Sequence, residues 1–360
     1  MSENKHVNLS GTNRQVTPMN DEHSLMERRW VLTGRFDEIY TTAPCEDLSS
    51  SLQDTDIFYI YRLYDALLER YPDMMSKKLL GHGTGYHGES DERLPIYEYR
   101  ISAPETIQRT QAGTSTDLEE APLMLITSGV HGYEKAAVYG VYEFVKQMLE
   151  NPLNSLAMES ILSNFSFKII PIVNPGGYND NDRNNRNGVN INRNFSYHWE
   201  EAPDKEKGIA PYSENETRII GQWLKENRHA YAYLDFHNLT RKFPGRHRAM
   251  TSYHLSPNKQ LDKMYSSLIR ILSRRWKKTY LSCYADLGDI AYGFLTSDFY
   301  RHTPNTINEA YHVYGIPLAA TPESANEDPA DLNKENTKAV LEMTVEIYAN
   351  YIFSMVHNFR

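Results

Sequence analysis

Residues 123–148 read LMLITSGVHGYEKAAVYGVYEFVKQM. Leu123 to Thr127 is a short, continuous apolar run, the pattern of a strand buried on both faces, and Val138, Val141, Val145 and Met148 then recur at helical spacing. A strand, a loop carrying His131 and Glu134, and an amphipathic helix therefore follow one another. The theme returns along the chain in the apolar runs Phe165 to Val173, Ala230 to Phe236 and Ile316 to Ala320. A closing helix is predicted after Pro329 from Val340, Met343, Ile347 and Tyr351. Doubly buried strands alternating with helices predict a mainly parallel sheet in an α/β fold.

Upstream of this stretch, Ile60, Leu63, Tyr64, Leu67 and Leu68 predict a helix that Asp54, Thr55 or Asp56 can cap and Pro72 stops. GHGTGYHGESDE at 81–92 is rich in turn formers, and LPIYEYRIS at 94–102 is β-prone. Residues 1–50 are sparse in apolar side chains and are expected to form a partly flexible extension, leaving 51–360 to build the main folded domain.

The chain has 360 residues, 40% of them apolar and 24% charged, which describes a globular protein and excludes collagen, coiled-coil and disulfide-stapled classes. Its net charge of −9 repels phosphate backbones, so nucleic acid is not an expected partner. Arg270, Arg274, Arg275, Lys277 and Lys278 are expected to form a solvated helix face. Cys45 and Cys283 are the two cysteines; they cannot make a cysteine-only metal site and are expected as reduced thiols. The polar N-terminal segment lacks the apolar centre of a signal peptide, and no run approaches the ~18 apolar residues of a membrane span. Cytoplasmic residence is the expectation.

In open α/β sheets functional groups gather beyond the carboxyl ends of the strands. There the chain places His131 and Glu134 in SGVHGYE, His237 in LDFHN and Glu323 in TPES. Two imidazoles and a carboxylate are the three-ligand set of a catalytic zinc site with a fourth position open to water, and the remaining carboxylate can serve as base. His198 and Glu201 repeat the His-x-x-Glu spacing but follow no strand, so they are expected at the surface. The loop NPGGYNDNDRNNRNGVNINRNF at 174–195 carries Asn174, Arg183, Arg186, Asn192 and Arg193. It reads either as an anion-binding loop, with paired arginine donors suited to a carboxylate, or as a polar turn with solvated arginines.

SGVHGYE, the NPGG…RNNRNGVNINRNF block, DFHN and the TPE glutamate together resemble the zinc metallocarboxypeptidases, the carboxypeptidase A/B-like family. The resemblance runs from about Thr55 to the C-terminus, and SENETR at Ser213 to Arg218 is similar to a helix start in bacterial members. It implies a mixed, mainly parallel central sheet flanked by helices on both faces and one zinc ion per chain. By position it implies that His131, Glu134 and His237 bind zinc and that Glu323 is the general base. Arg183 then polarises the scissile carbonyl, and Asn192 and Arg193 grip the terminal carboxylate of a peptide substrate. Tyr300 is the candidate for the family's mobile tyrosine, with Tyr311 in reserve.

Asn190 stands where the family usually has an aspartate orienting the first zinc histidine; its amide oxygen can still accept that imidazole's proton but brings no negative charge, a loss that typically costs about 10- to 100-fold in metal affinity or activity. The position of the specificity pocket base falls near Asn308, beside Glu309, which hints at a polar or basic substrate side chain. Besides a carboxypeptidase, the motifs admit a murein-type peptide amidase, an N-acyl amino acid deacylase, or a catalytically silent module that binds carboxylate-bearing ligands. Metal content separates the silent module from the hydrolases.

Overall fold

A computed structural model of the chain describes residues 52–103, 121–150, 161–162, 165–239, 250–255 and 303–325, together with Val345, Tyr348, Ala349 and Ile352 in a late helix. The extension at 1–50, both cysteines, the basic stretch 268–278, Tyr300 and the stripe Val340, Met343, Ile347 and Tyr351 lie outside the described residues.

Helix α1 (Ile57–Arg70) starts where the Asp56 side chain accepts from the Tyr59 amide, an N-cap. It buries Ile57, Ile60, Tyr61, Tyr64 and Leu67. Strands β1 (Met75–Thr84) and β2 (Ser90–Ile101) then form an antiparallel hairpin. Strand β3 (Leu123–Ser128) leads into α2 (Lys135–Glu150), and β4 (Ser166–Ile170) into the short α3 (Pro175–Asp180). Helix α4 (Asn215–Glu226) precedes β5 (Ala232–Leu239) and β6 (Met250–Leu255). A helical turn at Thr306–Asn308, widened into a π-turn over Glu309–Val313, precedes β7 (Ala319–Ala325).

The seven described strands form one sheet in the order β1-β2-β4-β3-β5-β7-β6. Parallel pairing joins β4, β3, β5 and β7, and the pairings of β1, β2 and β6 are antiparallel, so the sheet is mixed with a parallel centre. Side chains alternate across it as the strand period of two requires. Met124, Ile126, Phe167, Ile169, Leu234 and Phe236 pack with α1 and α2 on one face. Leu125, Ile170, Tyr233 and Ala319 pack on the other with Ile220, Trp223 and Leu224 of α4. Each buried leucine, isoleucine, methionine or phenylalanine among them contributes about 1.5–3 kcal/mol by leaving water.

Two strands escape the sequence reading. β1 is an edge strand whose residues are mostly exposed or half-exposed, so it lacks a legible alternation, and two register shifts interrupt it. β6 is the opposite edge. β5 and β7 also run on past their apolar stretches, because the ladder continues through the polar residues that follow. His237 and Glu323 are consequently inside strands rather than just beyond them, and they are register partners.

One close approach shapes the loop after β3. The α carbon of Gly132 lies so near α3 that an added Cβ would stand 1.9 Å from the Gly177 carbonyl carbon and 2.2 Å from the Tyr178 nitrogen. Both are backbone atoms, so no side-chain rotation relieves the clash. Asn174 fastens the same contact: its Oδ1 accepts from the Gly177 amide at 2.9 Å, and its Nδ2 donates to the Val130 carbonyl at 3.4 Å. Gly132→Ala is expected to destabilise the protein by at least the ~1–3 kcal/mol typical of overpacking. Urea unfolding checks this, and a change within about 0.5 kcal/mol, typical of surface substitutions, would count against the contact.

Candidate active site

Three elements deliver the potential metal donors. His131 follows β3, in a loop held by the Asn174 amide on the Gly129 carbonyl at 2.9 Å and the Val173 amide on the Ser128 carbonyl at 3.1 Å. Glu134 immediately precedes α2, and His237 comes from β5. Glu134 lies between the two imidazoles: its Oε1 is 2.8 Å from His131 Nδ1, and its Oε2 is 2.9 Å from His237 Nδ1. The Asn238 amide also donates to Oε2, at 3.1 Å. The three residues are 5%, 2% and 1% exposed, and their candidate donor atoms lie within 4.8 Å of one another.

Each short nitrogen–oxygen contact requires a proton or another cation between the atoms. Two imidazoles and a carboxylate converging in a buried site fit a zinc ion by donor type and by number. Burial pulls the His131 imidazole down to about 4, helped by the Arg183 charge and opposed by Glu134. Burial opposes charge on Glu134 as well, but the two imidazoles outweigh it and hold the carboxyl well below the ordinary range. His237 is raised despite its burial, because Asp235 and Glu134 both face it.

Glu323 sits opposite His237 across the parallel β5–β7 pairing. Removal from water pushes its carboxyl up to about 8; His237 and Arg183 oppose this, and Glu134 adds to it. Arg183 Nη1 donates to the Tyr133 hydroxyl at 3.3 Å, and the guanidinium lies within the field of Glu134.

The loop 174–195 divides its work. Asn174 is a buried cap for α3, and Arg186 is paired with Asp180 and Asp91, so these two hold structure. Asn192 Oδ1 accepts from the Thr306 amide at 3.1 Å, which leaves Nδ2 as the amide's donor end. Arg193 Nη1 donates to the Asn192 carbonyl at 2.7 Å, and its Nε lies 4.0 Å from Glu206.

Two expectations are corrected. Asn190 does not take the proton of the first histidine. It caps the turn Ile191–Arg193, with Oδ1 accepting from the Asn192 amide and Nδ2 donating to Glu206 at 3.2 Å. His131 Nε2 is buried without a hydrogen-bond partner among the described residues. Glu309 does not offer its charge to a substrate either, because the chain satisfies it internally. Its carboxylate accepts from the Ser196 amide and hydroxyl, the Tyr197 amide and the Tyr212 hydroxyl. Asn308 beside it is buried and donates its Nδ2 to the Thr303 carbonyl at 2.7 Å.

Tyr311 packs against the core on the α4 side of the sheet. His198 and Glu201 bond to each other at the surface, as expected of that second His-x-x-Glu. Sequence reasoning missed Asp235, Thr306, Tyr133 and Glu206. The signal for Asp235 was present: two positions before His237 in a strand is the same face.

The zinc carboxypeptidase pattern, peptidase M14, matches residues 60–346. Mast cell carboxypeptidase A of Mus musculus is 22% identical over 352 residues, covering 85% of this chain and 81% of that protein. Carboxypeptidase B of Astacus astacus is 30% identical over 142 residues, covering 33% of this chain and 46% of its own. Among solved structures, bovine thrombin-activatable fibrinolysis inhibitor in complex with tick carboxypeptidase inhibitor gives a TM-score of 0.57 at 20% identity. That likeness covers 85% of this chain and 99% of the other and concerns the fold. Because the family pattern spans most of its length, the chain belongs to the zinc carboxypeptidase family.

Proposed function

We propose that this chain is an active zinc carboxypeptidase that hydrolyses the last peptide bond of peptides with a free C-terminal carboxylate. The observation that carries this reading is the meeting of His131, Glu134 and His237 in one buried site with Glu323 on the adjoining strand. His131, Glu134 and His237 would hold the zinc, which when bound supplies a Lewis acid that activates water and polarises the scissile carbonyl. Glu323 takes the proton of the attacking water and returns it to the leaving amine; a carboxyl raised toward neutrality suits both halves of that task. Arg183 donates to the oxygen that gains negative charge.

Asn192 Nδ2 and the Arg193 guanidinium grip the terminal carboxylate, a pairing of fixed amide and planar cation suited to that group. Tyr300 is the proposed tyrosine over the bound substrate. Residues 51–360 form the proposed catalytic unit behind the extension 1–50. Cytoplasmic residence is proposed on the two cysteines alone, and cell fractionation tests it. The relatives named above are carboxypeptidases, and no observation favours the murein-peptide, N-acyl amino acid or silent-module readings.

The direct test is mass spectrometry of free-carboxylate, C-amidated and murein-type peptides incubated with the zinc-loaded protein. Stepwise loss of C-terminal residues from free-carboxylate peptides alone is expected; cleavage of murein peptides alone would defeat the reading. Glu323→Ala should lower kcat by about 10²- to 10⁴-fold while zinc stays at about one equivalent per chain. Retained turnover would remove Glu323 from the mechanism. Arg183→Met should lower kcat by about 10²- to 10³-fold with little change in KM, as steady-state kinetics can separate.

The raised carboxyl of Glu323 also has a signed effect on stability. Its folded pKa of about 8 exceeds the ordinary 4.5, so its contribution is fully present below about pH 4.5 and is lost as pH rises through 8. In metal-free protein, Glu323→Gln should therefore raise Tm more at pH 8.5 than at pH 5. A pH-independent difference between variant and parent would show that the carboxyl is not raised.

A further inference from the structure

The two imidazoles of the site are supported differently on the side away from Glu134. His131 Nε2 is buried and has no hydrogen-bond partner among the described residues, whereas His237 Nε2 lies 2.8 Å from Asp235 Oδ2. Asp235 precedes His237 by two positions on β5 and is fully buried. A buried carboxylate is costly unless paired and hydrogen-bonded. Here both of its oxygens are satisfied. Thr127, the register partner of Asp235 on β3, donates its hydroxyl to Oδ1 at 2.8 Å, and the Thr306 hydroxyl donates to Oδ2. The Thr127 hydroxyl is fixed in turn by the Tyr233 hydroxyl at 2.7 Å.

Thr306 faces two ways. Its hydroxyl reaches Asp235, while its backbone amide donates to Asn192 Oδ1 at 3.1 Å. Thr127, Asp235 and Thr306 are all withdrawn from solvent. An acceptor on Nε2 assigns the imidazole proton to that nitrogen and leaves the Nδ1 lone pair facing the Glu134 side, where a cation would be held.

We propose that Asp235 is the positioning residue of the metal centre, and that Thr306 ties the placement of His237 to that of the Asn192 amide that meets the substrate carboxylate. The inference rests on zinc being held by His131, Glu134 and His237. Asp235 and Thr306 touch neither the metal nor the reacting atoms and act through the residues that do. The two substitutions therefore have different signatures. Loss of the carboxylate charge acts on metal affinity, and loss of the Thr306 hydroxyl acts on both the metal and the recognition of the substrate terminus.

The test uses Asp235→Asn and Thr306→Val in the full chain. The readouts are zinc dissociation constants by chelator competition, the visible spectrum of the cobalt-substituted protein, metal-free melting curves, and KM for a free-carboxylate peptide. Asp235→Asn is expected to weaken zinc about 10- to 100-fold and to shift the cobalt bands. Thr306→Val is expected to weaken zinc by about 3- to 10-fold and to raise KM by a similar factor, the worth of one hydrogen bond. Zinc affinity within twofold of the parent with an unchanged cobalt spectrum in Asp235→Asn would overturn the proposal, even if activity fell. If Asp235→Asn does not fold, Thr306→Val decides, and parental zinc affinity and KM in that variant would overturn it. A parent chain that takes up no zinc would instead defeat the metal reading itself.

Discussion

The site turns on one carboxylate shared between two imidazoles. Glu134 sets one oxygen against His131 Nδ1 and the other against His237 Nδ1, inside a site almost closed to water. A buried carboxylate is tolerated only where its oxygens are paired or hydrogen-bonded, and the same convergence of donor atoms suits the trio to hold a cation. Placing it demands that a loop, a helix start and a strand end meet within a few ångströms. The parallel β3–β5 pairing brings their origins together, and the backbone contact of Gly132 with Gly177 sets the height of the loop.

Two glutamates of one site are driven in opposite directions by their surroundings. Glu134 is between two potential cations and is held ionised, while Glu323 is taken from water and lies near the negative charge of Glu134, so it is pushed toward the protonated form. One residue type thereby takes opposite protonation tendencies within one site. The difference comes from geometry, because both residues begin with the same intrinsic acidity.

Polar residues outside the reaction hold this arrangement. Asn174 caps α3 and bonds to the His131 loop, Asn190 caps the turn that presents Asn192 and Arg193, and Glu309 gathers the Ser196–Tyr197 backbone against the π-turn before β7. Their density explains why an asparagine-rich loop is compatible with a well-defined site. Each side chain answers backbone groups that no regular helix or strand satisfies there.

The parallel core was legible from composition and period alone, because strands buried on both faces leave unbroken apolar runs such as Leu123 to Thr127 and helices leave stripes such as Val138, Val141, Val145 and Met148. His131, Glu134, His237 and Glu323 were legible for a related reason: polar residues that interrupt or end such runs are seldom there for packing. The edge strand β1 was not legible, since a strand with one open edge and half-exposed side chains carries no strong period. Only the tertiary structure could decide that Asn190 faces a backbone amide instead of the histidine, that Glu309 is spent inside the chain, and that Asp235 and Thr306 stand behind His237. Those outcomes depend on where hydrogen-bonding groups distant in sequence meet, and a donor or acceptor carries no mark in sequence of the partner it will find.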